Sequence, residues 1–322
     1  MGRQPLVATT ADRPVPSGGP AGSRLRGTAR RRRNEGAIRA VLLGAAILSI
    51  LVSIGIVLSL AFEALTFLSK IEFSQLFADG WFPRRGQFSI PTVVVGTLMI
   101  TIIAITVSAP IGLASAIYLS EYASVRVRGI VKPILEILAG IPSVVLGFFA
   151  LTWISPNIVQ AIFPTAKGFN MLAAGIGVGI LTIPLVASIS EDAMRAVPNA
   201  LREASYGLGA RKLRTSVRVV IPAAISGIVA AMILAVSRAI GETMVIALAA
   251  GATAGSLFTV NPLGPGQTLT GAMASLAAGS DQVTGNTAAF LSLFFLGLLL
   301  FLWTLGLNIL GDAFVRRTRQ KY

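Results

Sequence analysis

Arg238 and Glu242 are the only ionisable residues between Ala223 and Ala250. This apolar run is long enough to cross a hydrocarbon core of roughly 30 Å, with Arg238 near its midplane. A charge there costs about 2.5–3.5 kcal/mol even on insertion scales, so it must face protein or water, and a functional role is the first hypothesis. A guanidinium stays ionised in any environment and offers two parallel donors to an oxyanion. Glu242 is expected one helical turn later on the same face, where it can pair with Arg238 when no anion is present. The pair has two readings. It is a structural ion pair locking two spans together, or a resting state with which an arriving anion competes, so that binding stays weak enough for release. Arg preceding Glu by four is the weaker intrahelical orientation, which argues against helix support as the whole explanation.

The elements that position this pair begin upstream. Between Pro198 and Pro222 the chain is basic and broken by glycine. Pro198 suits a helix start, and Gly207 and Gly209 suit its end. A second short basic segment leads to Pro222, so the expected shape is a helix, a turn and another helix outside the membrane, able to dock into a partner's groove.

Of the 322 residues 54% are hydrophobic and only 12% charged, the composition of a polytopic membrane protein. With neither Cys nor His, thiol nucleophiles, disulfides, histidine-held metals and Ser-His-Asp catalysis are excluded. A membrane-embedded enzyme would have to rely on scattered Ser and Thr with no base beside them. The sequence also has no Gly-x-x-x-x-Gly-Lys-Ser/Thr phosphate loop, so no nucleotide or metal cofactor is expected in this chain. The net charge of +14 sits mostly in short segments flanking apolar runs and calls for no nucleic acid.

Six spans are expected, at about 37–62, 91–119, 133–154, 171–189, 223–250 and 287–311. Residues 1–36, rich in Pro, Gly and Arg, read as a disordered basic tail, and 312–322 as a second basic tail. Residues 37–90 form the first membrane helix and an external loop, and 91–311 the main membrane domain. Lys and Arg concentrate in the tail through Arg39, at Arg126 to Lys132, from Arg195 to Arg218, and in the tail from Arg316. These segments alternate between spans, so both termini and the 198–222 segment are expected in the cytoplasm. Pro110, Pro142 and Pro184 fall inside three spans, as markers of a polar path or as packing kinks. Gly175 and Gly179 suit a helix-packing face. A re-entrant piece is expected near Thr268–Ala278. For Glu136, near the start of span three, the simplest readings are snorkelling or a contact with Lys132.

The spacing Glu203-Ala204-Ser205, Gly209, Val219-Val220-Ile221-Pro222 resembles the EAA loop of bacterial ABC importer permeases. It departs from that pattern at Ser205 and Ile221. From about Pro91 onward the likeness sharpens: Leu138 to Val145, Glu191 to Pro198 and Ser237 to Thr243 resemble the phosphate-specific permeases, of PstC more than PstA type.

The resemblance implies an all-α, type I importer architecture in the bacterial cytoplasmic membrane. The implied partners are a homologous permease of PstA type, a cytoplasmic ATPase dimer of PstB type that supplies ATP and Mg, and an external phosphate-binding protein of PstS type. It places ATPase coupling on Glu203, Ala204, Gly209 and Pro222, and with inorganic phosphate as the substrate the charge chemistry above puts Arg238 and Glu242, together with Ser143, on its path. Glu242 would then accept the proton that hydrogen phosphate carries and sulfate lacks. A passive or ion-coupled anion channel, and a permease for another oxyanion, are the alternatives.

Overall fold

The computed structural model describes residues 29–251, 255–278 and 287–318. Most of the N-terminal tail, and the end of the C-terminal one, lie outside the described residues.

The chain divides into two units, the first ending at Ile56. It contains the start of α1 (Ala29–Lys70), which begins inside the stretch read as a disordered tail. Its residues from Glu35 to Ile56 are all exposed, the surface of a lipid-facing helix.

The second unit, from Val57, carries the rest. In order these are α2 (Ile90–Ile117), α3 (Val125–Ala139), α4 (Ser143–Phe149), α5 (Gln160–Ile162) and α6 (Met171–Arg195). Then follow α7 (Asn199–Gly207), α8 (Lys212–Thr215), α9 (Ile221–Gly241), α10 (Met244–Ala249), α11 (Leu269–Ala277) and α12 (Ala288–Thr318). Among the described residues six helical stretches are long and apolar enough to cross a membrane. An antiparallel sheet of order β2-β1-β3, from β1 (Gly80–Phe82), β2 (Gln87–Phe88) and β3 (Ser256–Leu257), interrupts the helical pattern. It pairs Trp81 with both Phe88 and Ser256 and seats Trp81, Phe88 and Phe67 in one apolar cluster.

The centre of the unit is α6 against α2. A Cβ at Gly175 would stand 2.6 Å from Ile103 Cγ2, and one at Gly179 2.8 Å from Val107 Cβ. Only hydrogen fits there, so the small-residue face lets the two backbones approach closely.

Span three differs from the expected one. The apolar residues after Pro133 belong to α3, a separate helix with no buried residue, and the membrane stretch starts at Ser143 and runs through π-helical turns to Ile162. Pro142 therefore lies outside the span, as the residue capping α4. Its ring restricts Ile141 and lacks the N–H that a continuing helix needs. Pro110 and Pro184 do lie inside α2 and α6.

Candidate functional site

The fifth membrane stretch runs from Lys212 to Gly241 and stops there. Glu242 leaves the helix in an extended conformation (φ −69°, ψ 130°), and α10 begins two residues later. Glu242 is largely buried. Its Oε1 accepts from the Val245 N–H at 3.4 Å, and its backbone carbonyl accepts from the Thr270 hydroxyl at 2.7 Å, tying the break to α11. The expectation that Glu242 lies one turn beyond Arg238 on the same face is therefore corrected, because the helix that would align them ends at Gly241. Among the described residues no ion pair joins the two.

Arg238 is exposed and makes no hydrogen bond or ion pair with any described residue. It lines an open cavity of about 290 Å³ between α3, α6 and α9. Glu136 and Ala139 of α3 and Pro184 and Ser188 of α6 also line it. Apart from Arg238, the polar side chains on its wall are Glu136 and Ser188. Of the two readings for Glu136, the contact with Lys132 is not made, since Lys132 pairs with Glu191 and Asp192 of α6; Glu136 is exposed, as a snorkelling side chain would be, and lines the cavity. Ser143, the first residue of α4, is half-buried and is not among the cavity-lining residues.

One turn from the cavity on both α3 and α6 lies a cluster of charges. Glu191, fully buried, has Lys132 Nζ at 3.1 Å, Arg128 Nε at 3.5 Å and Arg195 Nη1 at 3.7 Å. These are ion-pair distances without the alignment of hydrogen bonds. Lys132 also donates to Asp192 Oδ1 at 2.8 Å. That bond, with the two carboxylates beside it, raises the Lys132 pKa above its ordinary value despite some burial. Arg128 donates to the Leu119 carbonyl from both Nε and Nη2, at 3.0 and 2.7 Å, anchoring the π-helical turn, Tyr118–Tyr122, that follows α2.

The segment after α6 folds as a helix and a turn. The Gly209 N–H donates to the Tyr206 carbonyl and that of Ala210 to Ser205, with Gly209 at φ +77°, the left-handed pattern that ends a helix. Arg202 holds α7 in place. It donates to the Val197 and Met194 carbonyls at 2.7 and 2.8 Å and to Glu121 Oε1 at 3.0 Å. The Ser205 and Thr215 hydroxyls meet at 2.9 Å, so the departure at Ser205 joins α7 to α8. Beyond the turn α8 does not stand apart from the membrane but opens the fifth membrane stretch. The chain from Lys212 continues through a π-helical turn, Ser216–Val220, into α9, with Pro222 near the α9 start. Glu203, Ala204 and Gly209 are exposed, Leu208 is 90% exposed, and Glu203 has no polar partner among the described residues.

The model for the binding-protein-dependent transport system inner membrane component family matches residues 108–320. The chain belongs to that family. It is a permease component of an ABC importer and a multi-pass protein of the inner membrane, distinct from a nucleotide-binding subunit. The permease is 32% identical over 294 residues to the probable ABC transporter permease protein YqgH of Bacillus subtilis, covering 86% of each chain. It is 33% identical over 225 residues to the phosphate transport system permease protein PstC of Mesorhizobium japonicum, covering 64% of this chain and 69% of the relative. Its fold is that of a chain in a bacterial alginate ABC transporter solved with an alginate-pentasaccharide-bound periplasmic protein. That TM-score is 0.63 at 15% identity, over 91% of this permease and 99% of that chain.

In the permease, then, the residues singled out for a substrate path occupy different places: Arg238 on a cavity wall, Glu242 at a helix break and Ser143 at a helix start. The residues singled out for coupling lie together, except Pro222, which sits further along the fifth stretch. Glu191 and its cations were missed as a cluster, since nothing in the spacing of Arg128, Lys132 and Glu191 announces that they meet.

Proposed function

We propose that this permease forms part of the path of an ATP-driven importer of inorganic phosphate, with a homologous permease of PstA type as its partner. The observation that carries the reading is Arg238: an ionised side chain on a membrane stretch, at the wall of a cavity, without a partner among the described residues. A guanidinium so placed is stabilised by an anion that bridges its parallel donors, and leaving it unpaired is costly. The likeness to proteins named as phosphate permeases supports phosphate as that anion. Ser143 contributes its hydroxyl to the path at the start of α4, and Glu242 shapes the path by fixing the break after α9.

Both termini and the α7–α8 segment lie in the cytoplasm in this reading. There Glu203, Ala204 and Gly209 meet a PstB-type ATPase dimer that binds ATP and Mg, while Pro222 helps set the junction with α9. A PstS-type binding protein delivers phosphate from outside. The test is uptake of radiolabelled phosphate in proteoliposomes containing this chain and those partners. Strictly ATP-dependent uptake that excess sulfate does not inhibit is expected. Flux from this chain alone, without ATP, would make it a channel or carrier instead.

A further inference from the structure

Among the described residues, Glu136 and Arg238 carry the only charges on the wall of one cavity, yet no ion pair of 4.0 Å or less joins them. Both side chains are exposed, and opposite charges on one cavity wall that do not pair leave room for a ligand that satisfies both. At about 290 Å³ the cavity is at the small end of ligand pockets, which run from roughly 300 to 1,000 Å³. The ligand must be an anion toward Arg238 and a hydrogen-bond donor toward Glu136, because an ionised carboxylate only accepts. Hydrogen phosphate is both. Sulfate, with no proton at neutral pH, presents only acceptors and is repelled by the carboxylate.

We propose that Glu136 is a specificity-determining residue, its carboxylate accepting a hydrogen bond from the protonated oxygen of an oxyanion whose other oxygens Arg238 holds. Ser188, on the same wall and without a side-chain hydrogen bond among the described residues, can donate to a further oxygen. The inference rests on the phosphate reading above and moves the proton-acceptor role from Glu242 to Glu136. The reason is geometric: the Glu242 carboxylate accepts from the Val245 N–H at the start of α10, whereas Glu136 shares a cavity with Arg238. The proton stays on phosphate, and no bond is made or broken.

The selectivity of an external binding protein would mask that of the membrane site, so the test omits it. Binding of radiolabelled phosphate and radiolabelled sulfate is measured on the assembled complex in nanodiscs at neutral pH, for the natural chain, Glu136→Gln and Glu136→Asp. One charge-assisted hydrogen bond, set against repulsion, should favour phosphate by about tenfold or more in the natural chain. Glu136→Gln offers an amide donor and no negative charge, so sulfate binding should rise and most of that preference vanish. Glu136→Asp keeps a carboxylate and should keep a preference for phosphate. Equal binding of the two anions by the natural chain, or sulfate binding that does not rise in Glu136→Gln, overturns the proposal. ATP-driven phosphate uptake by the complete system separates the two failures. If uptake proceeds, only the role of Glu136 falls, and if it does not, the phosphate reading falls with it.

Discussion

Lys132 of α3 stands 3.1 Å from Glu191 of α6, just beyond one end of the cavity that holds Arg238. The two helices run antiparallel here. Lys132 meets Glu191 and Asp192, while Glu136 and Ser188, one turn inward on each, line the cavity. Since α3 buries no residue of its own, these ion pairs and the Arg128 bonds to Leu119 are its main polar ties to α6 and to the turn that follows α2.

Removing Lys132 should therefore loosen α3 and leave the spans intact. Lys132→Ala takes away the shortest contact of a buried carboxylate but leaves Arg128 and Arg195 near it, so we expect a local cost of about 1–3 kcal/mol. Hydrogen exchange in the assembled complex should show lower protection across residues 125–139 and unchanged protection in α6. Unchanged protection of α3 would mean that the ion pairs do not hold it.

The same contact predicts a pH dependence. The Lys132 pKa is raised above 10.5, chiefly by its bond to Asp192. A group whose folded-state pKa is raised contributes stability that is fully present below the unfolded value and lost as pH rises through the folded one. Protection of α3 should thus be flat through neutral pH with respect to this group, and decline only in strong alkali. A decline between neutral pH and mild alkali would assign the tether to another group.

The membrane stretches were legible because an apolar run of sufficient length has few other fates, and Gly209 and Pro198 announced α7 by their backbone chemistry. Hydropathy misled where it was continuous across a break. Ile134 to Leu138 extended the apparent third span back to Pro133, although Gly140 and Pro142 already signalled a stop. The apolar residues from Met244 to Ala250 likewise concealed the end of α9 at Gly241, and with it the separation of Arg238 from Glu242. Contacts between residues sixty positions apart, such as Lys132 with Asp192, leave no trace in spacing, so neither the cavity nor the charge cluster could be read from one sequence.

Gly209 tests the turn that presents α7. With φ at +77° and no atom within 4 Å of where a Cβ would stand, a substitution there meets backbone strain without a clash. Gly209→Val should cost about 1–2 kcal/mol and fray the end of α7, whereas Gly209→Asn should be tolerated better. Substrate-stimulated ATP hydrolysis should fall in the Val variant and largely survive in the Asn one. Equal activity of the two would show that the left-handed turn is dispensable.

Arg238→Lys keeps the charge and removes the planar pair of donors. If a bidentate contact holds the anion, uptake should fall about tenfold while the complex still assembles, since Arg238 has no protein partner among the described residues to lose. Normal uptake by that variant would reduce Arg238 to a point charge.

Glu203 tests the coupling surface. Its carboxylate is exposed and unpaired among the described residues, whereas Arg202 beside it is fixed by three bonds to the chain's own carbonyls and to Glu121. The neighbours thus differ in kind: Arg202 anchors α7 and Glu203 is left for a partner. Truncating one side of a charge pair desolvated at an interface costs about 2–5 kcal/mol. Glu203→Ala should therefore lower uptake and substrate-stimulated ATP hydrolysis at least about tenfold, with thermal stability of the membrane chain unchanged. Arg202→Ala should instead lower both stability and coupling, because it frees α7 from α6. Full uptake and full stimulated hydrolysis in assembled Glu203→Ala would remove Glu203 from the coupling contact and direct attention to the exposed Leu208 beside it.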